Sequence, residues 1–134
     1  MSKIYVLDSF AILALINGEQ GSDVVADLLN RAQTDEAKTL MSWVNVGEVA
    51  YIVERRSGVG QVYQVLGNLE TTKIDFVDAD RTLTLAVAHL KAQYPLSYAD
   101  AFAAALAVRE KAILLTGDPE FRALEKELTI QWLV

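Results

Sequence analysis

The chain has 134 residues, 52% of them hydrophobic, which suits one domain with a single core and is too short for two. With 12 Lys+Arg against 18 Asp+Glu the net charge is -6, so bulk electrostatic attraction to nucleic acid or anionic membrane is excluded and any such binding must be local. The absence of Cys removes disulfide scaffolds, thiolate metal sites and cysteine nucleophiles, and fits a reducing compartment.

Met1 to Lys3 leads into the short apolar run Ile4-Tyr5-Val6-Leu7, with no charged leader, long apolar region or cleavage site, so export by a signal peptide is not expected. That run reads as a buried strand ending at Asp8. Phe10 to Ile16 reads as a short helix broken by Asn17-Gly18, and Ser22 to Ala32 as a second one. Thr39-Leu40-Met41 is a short strand, and Val44, Val46, Val49, Ile52 and Val53 then recur on a helical period as far as Ser57-Gly58. Val62 to Leu69 is helical, Ile74 to Val77 alternates like a strand, and Leu83 to Leu90 is helical again. Ser97 opens an Ala-rich helix to about Lys111, Ile113-Leu114-Leu115 is a buried strand, and Ile130 to Val134 is a last one. The apolar stretches Phe10 to Ile16 and Ala101 to Val108 reach seven and eight residues, against roughly 18 for a bilayer span, so no membrane segment and a cytoplasmic chain are expected.

Five strands separated by helices predict an α/β domain over residues 1–134, with a mostly parallel sheet flanked by helices on both faces. Ligands of such sheets bind beyond the carboxyl ends of the strands, where Asp8 and Asp118 both fall. Each candidate acid also has a structural explanation. Asp8 can cap the helix that follows it, Asp118 followed by Pro119 is the grammar of a helix start, and Ser97-Tyr98-Ala99-Asp100 has the spacing of a capping box. Glu48 is harder to explain structurally, because it interrupts an apolar helix face on which Asn45 lies one turn earlier and Arg55 is too distant for a direct pair. Taken jointly, Asp8, Glu48, Asp100 and Asp118 can converge on one point, where a hard cation bound by oxygen ligands would let them stay ionised together. An all-oxygen set suits Mg²⁺ or Mn²⁺ and not zinc.

The runs Val6-Leu7-Asp8-Ser9, Asn45-Val46-Gly47-Glu48, Ser97-Tyr98-Ala99-Asp100-Ala101-Phe102 and Leu115-Thr116-Gly117-Asp118 carry, in order and spacing, a resemblance to PIN-domain proteins. Within that family the chain resembles the VapC toxins of toxin–antitoxin pairs. The resemblance implies a carboxylate site binding Mg²⁺ or Mn²⁺, metal-dependent endoribonuclease action on RNA, a cognate VapB-like antitoxin and a homodimer. Asp8, Glu48, Asp100 and Asp118 match the family's catalytic and metal-binding acids, Thr116 its hydroxyl residue and Asn45 its polar residue one turn before the glutamate. Its alternatives are a PIN nuclease of RNA maturation or decay without an antitoxin, and a non-catalytic interaction module. A phosphatase or phospho-accepting receiver is disfavoured, because Asp8-Ser9-Phe10 lacks the second aspartate and the paired acids those sites use. His89, Trp43 and Trp132 read as surface or packing residues, and Arg55, Arg56, Arg109, Lys111 and Arg122 as ordinary helix-end cations. Phe10 and Leu13 read as core or as part of a groove for a partner helix.

Overall fold

The computed structural model describes residues 2–134. Its centre is β1 (Lys3–Leu7), whose alternate side chains enter two different cores: Tyr5 and Leu7 face one, Val6 the other. Such two-sided burial is what an apolar run without polar alternation requires. β1 pairs with β2 (Ala37–Ser42) on one side and β4 (Ile113–Thr116) on the other, β3 (Asp75–Val77) lies outside β2, and β5 (Thr129–Trp132) outside β4. Every neighbouring pair is parallel.

Two layers of helix cover the sheet. Side chains of α1 (Ser9–Asn17), α2 (Ser22–Gln33), α3 (Trp43–Ser57) and α4 (Val59–Glu70) fill the first core. Those of α5 (Arg81–Gln93) and α6 (Tyr98–Glu110) fill the second. Ala101 to Ala107 of α6 are all buried, and their small side chains let this helix lie close over the central strands. No helix among the described residues is long and apolar enough to cross a membrane.

The element order agrees with the sequence reading, with differences at boundaries. β2 extends to Ala37 and Ser42 because Lys3 and Ile4 of β1 supply partners for Ala37 and Lys38, and Val77 of β3 supplies one for Ser42. β5 ends at Trp132, and the chain after Asp118 forms a 3₁₀ segment, Pro119–Leu124, pinned by buried Phe121 and Leu124. His89 lies on the surface of α5 beside Gln93, and Trp43 stacks against Phe76 while remaining 42% exposed.

Strand order places the functional edge. The chain lays β2 and β3 to one side of β1 and then crosses to lay β4 and β5 on the other, so its topological switch point is between β1 and β4. Open parallel sheets bind ligands in the crevice at that point, beyond the strands' carboxyl ends. Leu7 is in register with Leu115, and the next residues, Asp8 and Thr116, open the crevice.

Candidate active site

Asp8 leaves the end of β1 and caps α1: its Oδ1 accepts the Ala11 N–H at 2.9 Å, while its Oδ2 accepts the Thr116 hydroxyl across the switch point. Thr116 Oγ1 in turn accepts the Asp118 N–H at 3.0 Å. A single hydroxyl thus ties the ends of β1 and β4 together and orients two acids. Asp118 caps the 3₁₀ segment, accepting the Glu120 N–H at 2.9 Å. Gly117 between them leaves room for the Phe10 ring, which a Cβ there would force to shift.

The other two acids come from helices. Ser42, at the end of β2, caps α3 through the Val44 N–H at 3.1 Å, and three residues further Asn45 is wholly buried. Its Nδ2 donates to the Ala99 carbonyl of α6 at 3.1 Å, locking α3 against the helix that carries Asp100. Glu48, one turn on, is half-buried. The partner that its own helix does not supply comes from α1, where the Ser9 hydroxyl donates to Glu48 Oε1. Asp100, 4% exposed, stands in the first turn of α6, its N–H held by Ser97 Oγ at 3.1 Å.

The capping roles of Asp8 and Asp118 hold, whereas the capping box is only half made: Ser97 Oγ accepts the Asp100 N–H, but the Ser97 N–H goes to Glu120 and not to Asp100. One oxygen each of Asp100, Asp118 and Glu120 lie within 4.8 Å of one another. Asp8 joins this group through Thr116 and through repulsion with Asp118 and Glu48. Two residues of the cleft escaped the sequence reading. Glu120 looks like any solvated glutamate at a helix start, and only the fold brings it to α6. Ser9 stood in a recognised run without a role, since its partner is 39 residues away.

Burial raises the Asp8 carboxyl from 3.8 to about 7, opposed by the hydrogen bonds from Thr116 and Ala11 and reinforced by the charges of Asp118 and Glu48. Asp100 is raised to about 8, first by burial, then by a hydrogen bond shared with Asp118 that only a protonated carboxyl makes, and by the charges around it. Acids that resist ionising together are those a cation would relieve, since its charge reverses the local balance. The donor set fits a hard divalent ion, since the gathered ligand atoms are all carboxylate oxygens. His89 stands outside the cleft on α5, and Arg55 stacks over Tyr51.

A parallel sheet with helices on both faces and a cluster of acidic side chains beyond the carboxyl ends of its central strands defines the class of this α/β domain. Residues 5–127 match the PIN domain, and the chain belongs to that family. Solved structures share the fold. VapBC2 of Rickettsia felis, bound to a fragment of promoter DNA, is 19% identical with a TM-score of 0.76, covering 96% of this chain and 97% of that one. DNA-bound VapBC of Salmonella typhimurium is 16% identical with a TM-score of 0.74 and covers all of both chains. VapC20 of Mycobacterium tuberculosis, a toxin cleaving the sarcin–ricin loop, is 16% identical with a TM-score of 0.69, covering 90% and 94%. A search of curated sequences finds no match.

Proposed function

We propose that the chain is a metal-dependent endoribonuclease, the toxin of a VapBC-type toxin–antitoxin pair, acting in the cytoplasm. The observation that supports the reading is a PIN fold in which carboxylate oxygens of Asp100 and Asp118 lie within 4.8 Å of each other, with Asp8 tied to Thr116 beside them and both Asp8 and Asp100 held well above the usual carboxylate range. Asp8, Asp100 and Asp118, with Glu48 across the cleft, would hold Mg²⁺ or Mn²⁺. When bound, such an ion supplies Lewis-acid chemistry at a phosphodiester. The chain's own part is positional. Thr116 fixes Asp8 relative to Asp118, Asn45 fixes α3 against α6, and Ser9 aims Glu48, which stands as a ligand or as acceptor of the attacking water's proton.

A VapB-like antitoxin has a place to dock. One cavity of about 340 Å³ along α1 is lined by Phe10, Leu13, Arg56 and Val134, and a neighbouring one of about 310 Å³ by Ile12, Ile16, Leu29, Val65 and Leu69. Polar residues join both linings, Glu19 and Gln20 in the first and Gln61, Asn68 and Thr72 in the second, so these cavities on two faces of α1 would suit an amphipathic partner segment. Both chains of such a pair are soluble in this reading, and the toxin forms a homodimer.

The test is cleavage of a panel of structured RNAs, transfer and ribosomal RNA included, with Mg²⁺, Mn²⁺ or chelator, beside Asp100→Asn. Cutting that needs metal and disappears in the variant is the expected result. A folded, partner-free protein that binds metal and cuts nothing across the panel overturns the reading.

A further inference from the structure

Glu120 belongs to none of the recognised runs, yet it makes the one bond that its position would not suggest. It follows Asp118 and Pro119, its N–H is held by Asp118 Oδ1, and its side chain reaches back to α6, where Oε1 accepts the Ser97 N–H at 3.1 Å. Ser97 is the cap of α6 and Asp100 stands three residues later, the spacing of a capping box. In a complete box the cap hydroxyl takes the N–H of the later residue, and that residue's carboxylate reaches back to take the cap's own N–H. Here only the first half is made within the helix, from the Asp100 N–H to Ser97 Oγ at 3.1 Å. The second half goes to Glu120.

The exchange matters because of what Asp100 would otherwise do. A carboxylate folded back onto the Ser97 N–H, as in a complete capping box, is committed to the helix end. With Glu120 supplying the acceptor, the buried Asp100 carboxyl is left to the cleft, where one of its oxygens lies within 4.8 Å of oxygens of both Asp118 and Glu120. We infer that Glu120 is a positioning residue: it takes over the helix-capping bond of Asp100 and so delivers the Asp100 carboxylate to the cation site. The inference rests on the reading of the cleft as a cation site.

Glu120→Gln and Glu120→Ala separate this role from direct ligation. Both remove the same charge from an exposed position, and only Gln keeps an oxygen for the Ser97 N–H. Mn²⁺ alone is titrated calorimetrically into the whole protein, with thermal unfolding followed in parallel. Glu120→Gln is expected to bind Mn²⁺ about tenfold more tightly than Glu120→Ala, the usual scale for losing a group that orients a ligand. Equal affinities in the two variants overturn the role because the bond to Ser97 is then idle, and a Glu120→Gln affinity far below that of wild type overturns it in favour of direct ligation by the carboxylate. A difference confined to melting temperature, with affinity unmoved, also overturns it. Wild type that binds no Mn²⁺ overturns the cation site and this role together, whereas wild type that binds it without cutting RNA overturns only the nuclease reading.

Discussion

Asp8→Asn offers a test of the cleft's electrostatics that does not depend on substrate. Asp8 is 1% exposed and its carboxyl is raised from 3.8 to about 7, with desolvation the largest cause. A raised folded-state value means that the native protein holds this proton more tightly than the unfolded chain does. The associated stability is fully present below about pH 4 and is lost as pH rises through about 7. Three pKa units correspond to about 4 kcal/mol, an upper bound because unfolded chains are not fully solvated and native sites relax. Asn keeps an oxygen for the Ala11 N–H, and its amide can donate to Thr116 Oγ1 where the carboxylate accepted. Urea unfolding followed by circular dichroism in chelator should therefore show Asp8→Asn more stable than wild type by about 2–4 kcal/mol near pH 8, and by less than about 1 kcal/mol near pH 4.5. Saturating Mg²⁺ should narrow the gap at the higher pH by stabilising wild type alone, by about 2.7 kcal/mol at a hundredfold excess over its Kd. A gap of the same size at both pH values, or wild type the more stable at pH 8, would refute the reasoning.

Other expectations follow from single bonds. Thr116→Val leaves the Asp8 Oδ2 and the Asp118 N–H without their partner, so it should cost about 2 kcal/mol by urea unfolding, while Thr116→Ser retains most of the stability. Since the Thr116 bond lowers the Asp8 value, the loss in Thr116→Val should grow as pH rises through about 7. Gly117→Ala forces a methyl group into the Phe10 ring and should cost about 1–3 kcal/mol; Phe10→Leu in the same chain should recover part of it in a double-mutant cycle. Ser9→Ala removes the donor that aims Glu48 and should weaken Mn²⁺ binding about tenfold with little change in melting temperature; unchanged affinity would show that this bond is idle.

The architecture was legible because each strand is short, apolar and separated from the next by a helical period, a pattern that local spacing alone reveals. Asp8, Asp100 and Asp118 were legible for a different reason: each ends or begins an element, and cap grammar is local. Glu48 showed itself as a carboxylate on an otherwise apolar helix face. The Ala-rich run after Ser97 announced a helix, and only the structure shows Ala101 to Ala107 of α6 buried throughout. Boundaries were less legible, since Ala37 belongs to β2 only because Lys3 lies opposite it.

What the sequence by itself determined, then, is the order of elements and the presence of three acids at their ends and a fourth on a helix face, consequences of side-chain periodicity and of backbone groups that must be capped within a few residues. Only the tertiary structure decided what those acids face. The strand order β3-β2-β1-β4-β5 sets Asp8 beside Thr116, 108 residues away. The packing of α3 on α6 buries Asn45 beneath Ala99, and the turn after β4 sends Glu120 to Ser97 in place of Asp100. These contacts join residues distant in the chain, and no local spacing encodes them. They arise when burying both faces of the sheet draws its carboxyl edge together, raising the Asp8 and Asp100 carboxyls above the range either would have in water.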